Sequence, residues 1–590
     1  MKIIAIFIIS LTLRLLYLGS VPVSLSHDET DNIIQAHSVI QTGSDIEGTW
    51  NPWRLLPNSG VMAELGPLIN VPVLSLLPQS IFSSRLTTAI LSAIFPLLIW
   101  WWLTLLKVNS KVAQMSAFLL AISPWHLIFS RSALEQPTSL FFYLLSWVFL
   151  TTIFQTNKSR KHYILYSIFF VLSYAVGYFT YHGYKFSFPV LTTIYLAWLS
   201  YYSGSHRLVK FGILALFIYS LVVRTLIFSD YYGSRSGEII FSDQAKFAMQ
   251  VDNNRRLSIA PESLKSIFVN KPLAMLSVVR DKYLGAISPE LLFTRGESNG
   301  VFSVWNSGYF YLFTLPFIIM GLVYLCQFTS KESSLILGLL LVSPVATVVH
   351  VNNSLAFRSA LYFVMLNLVL SYGIVYLFEI VSRYYPKLVS TVKTVIISLF
   401  VIGLANFCYN FYFVTPVTNA SDYFFADRIL SNYARLSTES RLLLVVPQPR
   451  YIFSGIILSG GTPTESDMRS FGHSYSPSDA SSYKTNNLEV VQSCSKIELG
   501  VYDTIIIDKN MLETSLKECS SLTELMANTR KIAPLSIVSP KDSGMQYHIY
   551  GDRLCQEVEL ARYVKPGNHQ DFMLEQMTKD EFCTKWIVSQ

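Results

Sequence analysis

Two adjacent carboxylates stand directly after the first apolar stretch of the chain. The sequence SLSHDET (residues 24–30) follows the apolar run 1–19 and contains Asp28 and Glu29. Acidic side chains at a membrane edge are costly to bury, so they face water, a partner or a ligand. Such a pair can supply a general base and a neighbour that raises its pKa or orients its target. A solvated loop end, with Asp28 capping a helix that begins near Thr30, accounts for the pair equally well.

A second candidate group lies in SPWHLIFSRSALEQPTSLFF (residues 123–142). Arg131 and Glu135 are four residues apart, so they share a face on a helix or a tight turn. Pro137 suits the first turn of the following helix, and a helix N-terminus attracts anions. This combination predicts an anion site beside Arg131. An Arg–Glu pair that anchors a loop is the structural alternative.

Further polar candidates lie near the ends of later apolar runs. Arg358 falls in NNSLAFRSALYF, and His182 and Lys185 fall in YHGYK. The histidines lack the close pairing of a zinc motif, so isolated polar contacts are expected of them. The residues that could help to hold a divalent metal ion are His27, Asp28 and Asp31.

The composition indicates that a membrane protein positions these residues. Of 590 residues, 51% are hydrophobic and only 14% are charged, whereas a soluble domain has about 25% charged residues. The net charge of +7 comes with basic residues in short loops between apolar runs. The positive-inside rule explains that distribution, which gives no support to nucleic-acid binding. The N-terminal run lacks a small-residue cleavage site and is expected to be a retained first span.

Apolar runs of roughly the ~20 residues needed to cross a bilayer predict about eleven membrane spans. They fall at 1–19, 85–106, 112–128, 138–154, 163–180, 186–203, 211–229, 306–327, 333–349, 359–381 and 394–414. The proline-broken segment 66–80 predicts an interfacial or re-entrant element. With a cytoplasmic N-terminus every inside loop is basic. This orientation places Asp28 and the long segments 20–84, 230–305 and 415–590 on the outer side.

The pattern changes after about residue 415, where hydropathy falls. RLLLVVP (441–447) and DTIIIDK (503–509) predict buried strands with helical pattern between them. We therefore expect an α-helical polytopic membrane domain at 1–414 and a small α/β domain at 415–590. Three disulfide pairings are possible among the four cysteines of that second domain, and neighbour pairing is one of them. These cysteines are Cys494, Cys519, Cys555 and Cys583.

Four stretches of the chain carry a family resemblance. They are LRLLYLGSVPVSLSHDET, ELGPL, RLTTAILSAIFPLLIWWWL leading to AISPWHLIFSRSALEQPTSLFF, and YLGAISPELLFTRGESN. Together they resemble the membrane glycosyltransferases of the GT-C fold, in the protein-mannosyltransferase and aminoarabinose-transferase branch. The resemblance covers the first 300 residues well and the later spans more loosely. The region after 415 matches no family we can name.

The resemblance implies a sugar donor on a polyprenyl phosphate, used at the outer face of the cytoplasmic membrane in cell-envelope or protein glycosylation. Asp28 matches the catalytic base of the family and Glu29 its adjacent acid. Arg131 matches the arginine that approaches the donor phosphate. Glu135 takes the place of its acidic partner. Enzymes of this branch generally invert the anomeric carbon, and a general base without a protein nucleophile is consistent with a single displacement.

Two stretches depart from the family pattern. One is the fourth, with Gly285 and Ala286 where many relatives carry bulkier residues; the other is ELGPL. Glu64 opens ELGPL, in which Leu65 and Gly66 stand where relatives carry Lys or His and a proline. One contact to phosphate or acceptor is thereby missing. Arg358 or Lys185 is expected to replace it, and the nearby His182 belongs to the same set of candidate substrate-binding residues.

The leading hypothesis is therefore an inverting glycosyltransferase. Asp28 deprotonates a hydroxyl of a protein, lipid or glycan acceptor, and polyprenyl phosphate leaves with its charge held by Arg131. This requires Asp28 and Arg131 to converge over one cavity. A lipid-linked oligosaccharide ligase or polymerase is the first alternative. A lipid-sugar transporter or flippase is the second, although transporters often show repeated halves and charges at mid-membrane.

Overall fold

The computed structural model describes most of residues 3–589. The segments outside the description are 51–54, 59–61, 156–159, 203–206, 229–243, 329, 349–353, 475–481, 486, 495–498, 519–534 and 542–543. Cys519, and with it the predicted pairing to Cys494, therefore lies outside the described residues.

Helices make up most of the chain before the sheet. The first group is Ile3–Leu15, His27–Thr42, Val71–Leu74, Ile81–Leu105, Ser110–Ala121, Pro124–Phe129, Glu135–Gln155, Arg160–Thr180, Ser187–Tyr202 and Arg207–Phe228. The second group is Gln244–Arg256, Glu262–Phe268, Lys271–Ala286, Leu315–Gln327, Lys331–Val342, Val345–Val348, Leu355–Arg358, Ala360–Tyr384, Val389–Tyr409 and Thr415–Thr418. The proline-broken segment 66–80 forms only two short turns, Pro67–Asn70 and Val71–Leu74.

Six helical stretches of the described chain are long and apolar enough to cross a membrane. They are Ile81–Leu105, Glu135–Phe154, Lys161–Thr180, Lys331–Val348, Ala360–Tyr384 and Pro386–Thr418. Each of the eleven predicted spans overlaps a helix, but the number eleven is not confirmed. Ser110–Ala121 has 12 residues and Ser187–Tyr202 has 16. At about 1.5 Å per residue neither reaches across a hydrocarbon core of about 30 Å.

One helix forms the centre of the bundle. Residues 360–375 of Ala360–Tyr384 are buried without interruption. Its partner is Leu315–Gln327, and the two backbones meet at glycines. A Cβ on Gly373 would lie 1.8 Å from the carbonyl oxygen of Phe317, and one on Gly321 would lie 2.0 Å from that of Val369. Small residues permit such close helix contact in membrane bundles.

The C-terminal part of the chain contains a seven-stranded mixed sheet. The strands are β1 Leu442–Val445, β2 Ser482–Lys484, β3 Leu488–Val491, β4 Thr504–Asp508, β5 Leu535–Val538, β6 Met545–Tyr550 and β7 Ile587–Ser589. Their order is β2-β3-β1-β4-β6-β5-β7, with β1 parallel to β3 and β4 and the other pairs antiparallel. The two predicted strands are thus confirmed as β1 and β4.

Helices lie before, between and after these strands in the chain. They are Phe425–Leu436, Pro449–Ser459, Glu465–Ser474, Leu512–Glu518 and Lys579–Trp586. We call residues 425–589 the sheet region.

The sheet region shares a hydrophobic core with the first loop of the helical bundle. Ile33 and Ile34 on the helix His27–Thr42 are fully buried in the same cluster as Leu444 of β1 and Ile506 of β4. This common core crosses the predicted boundary at residue 414. The helix that begins with the candidate carboxylates is therefore packed against the sheet region.

A disulfide closes the C-terminal end of the sheet region. Cys555 and Cys583 are bonded, with Cα atoms 5.5 Å apart and a sequence separation of 28 residues. This is one of the two bonds in the neighbour pairing that the sequence left open. Cys326 and Cys408 are free.

Loss of this disulfide should destabilise the sheet region. Closure of a 28-residue separation contributes on the order of 3–4 kcal/mol through the entropy of the unfolded chain. We expect the Cys555→Ser/Cys583→Ser variant to be digested faster within residues 425–589 in limited proteolysis of the full chain. Cys326→Ser, at an exposed free cysteine, is the matched control and should behave like the parent. Equal digestion of all three proteins would contradict the prediction.

Candidate functional site

Glu29 is completely buried and is bonded on both carboxylate oxygens. Oε1 accepts from Arg85 Nε at 3.0 Å and from the backbone N–H of Ala133 at 2.8 Å. Oε2 accepts from the backbone N–H of Ser26 at 2.9 Å, and the Ser26 hydroxyl accepts from Glu29 N–H in return. This reciprocal pair is a capping box. Glu29 thus fixes the start of the helix His27–Thr42, and it does not line the large cavity described below.

Arg85 is the partner that sequence reasoning missed. It is fully buried and also donates to the carbonyl oxygens of Pro22 and Ser24. These bonds tie the helix Ile81–Leu105 to the loop that leads into Asp28. The only signal in the sequence was the position of Arg85 as the first residue of a predicted span.

Arg131 does not reach the cavity that Asp28 lines. Its guanidinium is fully buried and donates to the carbonyl oxygens of Leu13, Arg14 and Val21. It also lies 5.2 Å from the ring centroid of Tyr412. The expected convergence of Asp28 and Arg131 over one cavity is therefore corrected. Arg131 joins the end of the first helix to the loop after Pro124–Phe129.

A cavity of about 1300 Å³ has Asp28 in its wall. Its lining comprises a polar set and an apolar set of residues, which we call the polar end and the apolar end. The polar end is formed by Asp28, Asp31, Glu135, His182, Asn299, Arg358, Asp422 and Gln448. The apolar end is formed by Phe186, Val190, Leu191, Leu226, Val342 and Val345. The structure thus brings Asp28, Glu135, His182 and Arg358 together, as the sequence predicted, while Glu29, Glu64, Arg131 and Lys185 do not line this space.

Tyr181 connects the charged groups of the polar end. Burial raises the pKa of its phenol to about 12; a hydrogen bond and the positive charge of Arg358 oppose this, and the carboxylates of Glu135 and Asp28 add to it. One buried ring thus lies within electrostatic range of all three charges. A polar group bound beside Tyr181 would meet two carboxylates and one guanidinium.

Arg358 is the cation of the polar end with unused donors. Within the described chain, its buried Nε and Nη1 atoms have no hydrogen-bond partner. The short helix Leu355–Arg358 is held in place by Glu297, which accepts from the backbone N–H of Ala356 at 2.6 Å. Burial raises the pKa of Glu297 to about 7. A buried guanidinium with unpaired N–H groups is suited to bind an anion.

Glu64 and Lys185 form a buried ion pair outside the cavity. Lys185 Nζ lies 2.5 Å and 2.7 Å from the two carboxylate oxygens of Glu64, and both side chains are at most 2% exposed. The pair joins the first loop to the segment after Arg160–Thr180. Next to it, Gly66 lets the loop pass beside Glu135, since a Cβ there would lie 2.8 Å from Glu135 Cγ. Gly66, which departs from the family pattern, therefore leaves the space that the Glu135 side chain occupies.

His27 and Asp31 are engaged by the sheet region. The His27 imidazole lies between the rings of Phe424 and Tyr451, at centroid distances of 3.5 Å and 4.0 Å. Its Nε2 is 3.2 Å from Asp427. Asp31 pairs with Arg450 at 3.0 Å. The described residues contain no group of three or more His, Cys, Asp or Glu placed to hold a metal ion. His27, Asp28 and Asp31 thus do not fit the divalent ion that the sequence suggested.

The ion pair of Glu64 and Lys185 generates a stability prediction. Removal of one partner leaves a buried charge uncompensated and should cost about 3–5 kcal/mol. We expect Glu64→Gln and Lys185→Met each to lower the thermal unfolding temperature of the purified full chain. The double variant should recover much of the loss, because no buried charge remains. Additive losses in the double variant would contradict the predicted coupling.

Comparison with known proteins gives similarity at the level of solved structures only. No family model matches the chain, and no curated protein matches it. An oligosaccharyltransferase from Archaeoglobus fulgidus, tethered to an acceptor peptide, is similar over 97% of this chain and 76% of its own, with 12% identity and a TM-score of 0.45.

The second similar protein is ArnT from Cupriavidus metallidurans. In the apo state it is matched over 93% of this chain and 97% of its own, with 11% identity and a TM-score of 0.41. Its complex with undecaprenyl phosphate is matched with 9% identity and a TM-score of 0.40. At these values the likeness assigns no role to any residue. Both proteins belong to the GT-C-fold membrane glycosyltransferases, the class that the sequence motifs of this chain resemble.

Proposed function

We propose that the protein is a membrane glycosyltransferase that moves a sugar from a polyprenyl-phosphate donor to an acceptor hydroxyl. One observation carries this proposal. Asp28 and a guanidinium with unpaired buried donors, that of Arg358, line one cavity whose wall also includes a set of apolar side chains. A base, an anion site and a lipid groove are the three parts that such a transfer needs.

The apolar end suits the polyprenyl chain. Phe186, Val190, Leu226 and Val345 line it and are 46%, 48%, 59% and 46% exposed. They lie in or next to apolar helices, and the proposal places the opening of the groove on the side where those helices meet the lipid. An isoprenoid tail can leave the bilayer there without crossing a polar surface.

The polar end suits the phosphate and the sugar. In this proposal Arg358 takes the role that the sequence had given to Arg131. Its Nε and Nη1 can donate to phosphate oxygens, and its charge stabilises the phosphate as the bond to the sugar breaks. Fixed donors in a water-poor cavity are effective at this task because they need no reorganisation.

Asp28 is assigned as the general base. It accepts the proton of the acceptor hydroxyl, the hydroxyl oxygen attacks the anomeric carbon, and polyprenyl phosphate leaves from the opposite face with inversion. Glu29 acts by positioning, since its bonds to Arg85 and Ala133 fix the helix turn that carries Asp28. Glu135 and His182 lie within reach of the sugar in the same cavity.

The location follows from the charge distribution. Basic residues in the loops at the other end of the helices support a multi-pass protein of the cytoplasmic membrane, with the cavity and the sheet region on the outer side. The donor then arrives from the bilayer and the acceptor from the aqueous side.

Asp28→Asn should abolish most sugar transfer without loss of fold. An amide cannot accept the proton, and loss of a general base lowers the rate by about 10²–10⁴-fold. The measurement is transfer from a polyprenyl-phosphate sugar by the purified full chain, with its unfolding temperature as a control. Asp252→Asn is the matched variant outside the cavity and should retain the parent rate. Transfer by Asp28→Asn at the parent rate would exclude Asp28 as the base.

Arg358→Gln should weaken binding of the lipid phosphate. Loss of a charge-assisted hydrogen bond costs about 1.5–3 kcal/mol, or roughly 10–100-fold in the dissociation constant. Undecaprenyl phosphate is titrated against the full chain in detergent. Arg295→Gln removes an exposed guanidinium that is 78% accessible and paired with Glu290, and it should bind like the parent. Equal affinities for all three proteins would rule out Arg358 as the phosphate ligand.

A further inference from the structure

A second cavity of about 290 Å³ lies where the sheet region meets the first loop. We call it the sheet crevice. Gln448 follows β1, Asp508 is the last residue of β4, and Ser539 follows β5, and all three line it. β1 and β4 are parallel neighbours, and ligands of α/β sheets bind outside the carboxyl ends of such strands. The crevice thus has the position of a binding site in the sheet.

The sheet crevice adjoins the large cavity. His27, Ser421, Phe424 and Gln448 line both. Phe424 forms part of the wall between them, with its ring stacked on the His27 imidazole at a centroid distance of 3.5 Å. A molecule held in the sheet crevice therefore lies beside the segment that carries Asp28.

Phe424 has a strained backbone. Its φ of 51° and ψ of 42° lie in the left-handed region. This region is sterically unfavourable for a bulky residue, and such strain clusters at binding sites. Here the strain places an aromatic ring at the meeting point of the two cavities.

The lining of the sheet crevice has a distinct chemistry. Asp427, Asp508, Gln448, Gln546 and the hydroxyl of Tyr547 supply hydrogen-bonding groups. Pro447 and Pro540 supply apolar surface. The described residues that line the crevice include no lysine or arginine, and its carboxylates are Asp508 and Asp427, which pairs with His27 at 3.2 Å. A phosphate or carboxylate would thus meet two carboxylates and no guanidinium or ammonium group. The chemistry favours a hydroxyl-rich ligand that is uncharged or carries an amine.

We infer that the sheet crevice binds an uncharged or amino-bearing sugar unit of the acceptor, which makes the acceptor a glycan. This inference rests on the proposed function for the identity of the ligand as acceptor. The crevice holds one sugar ring, and a neighbouring unit of the same glycan extends past Phe424 and presents its hydroxyl to Asp28.

Direct binding to the full chain in lipid nanodiscs tests this without any transfer reaction. The probes are methyl glucoside, glucosamine and glucuronic acid, followed by saturation-transfer NMR. We expect saturable binding of the first two in the millimolar range and none of the third. Gln448→Ala, at an exposed residue, should weaken both sugars about tenfold. Gln570→Ala changes an exposed glutamine outside the crevice and should leave binding unchanged.

The Asp508→Asn variant distinguishes binding of an amino-bearing sugar from binding of an uncharged sugar. Asparagine can still accept the hydrogen bond from Asn510 N–H that Asp508 accepts at 2.8 Å. The variant loses the negative charge and exchanges one acceptor oxygen for an amide donor, and the loss of charge should weaken glucosamine more than methyl glucoside.

Four results would overturn the inference. In the first, no sugar binds saturably; in the second, the parent and Gln448→Ala bind the sugars equally well. In the third, glucuronic acid binds as tightly as methyl glucoside. In the fourth, a Ser/Thr peptide displaces the sugars with higher affinity. Failure of sugar transfer in the parent protein, with sugar binding at Gln448 intact, would instead reject the proposed function and leave the crevice as a sugar site.

Discussion

The buried ion pair of Glu29 and Arg85 is the interaction on which the site depends. It joins the loop at residues 22–26, the helix Ile81–Leu105 and the backbone of Ala133 through hydrogen bonds of about 3 Å or less. Both charges are out of water, and every bond to them is directional, so the loop has one conformation at this point. Asp28 precedes Glu29 in the chain, and its place at the cavity follows from that constraint. The attraction between these two charges thus fixes the position of the loop that carries Asp28.

The arginines of the protein divide into two groups by how their donors are used. Arg14, Arg85 and Arg131 are fully buried and donate to backbone carbonyls at helix ends or in loops, for example those of Ala121, Ser24 and Val21. They satisfy acceptors that would otherwise be orphaned in an apolar surrounding. Arg358 keeps two buried donors without a partner in the described chain. A guanidinium left in that state is suited to hold a ligand, which is the role proposed for Arg358.

Much of the helical part was predictable because apolar length is a local property of the sequence. The strands β1 and β4 were predictable for the same reason, as short apolar runs between polar turns. The partners of Glu29 and Arg131 were not, because they are chosen by contacts over more than 50 residues of chain. The family motif pointed to Glu135 and the predicted topology to His182, and both line the cavity of Asp28, whereas Arg131 does not. Spacing of four residues places two side chains on one side of a turn, but it does not say which one faces the cavity.

The common core of the helix His27–Thr42 and the sheet has a practical consequence for anyone who would divide the chain. A truncated chain that stops at residue 414 would expose Ile33 and Ile34, which are fully buried, to solvent on the helix that carries Asp28. The sheet region expressed alone would lose the same two side chains from its own interior. Each half would thus lose part of this shared core, so genetic insertions and tags are best tolerated at loops remote from it.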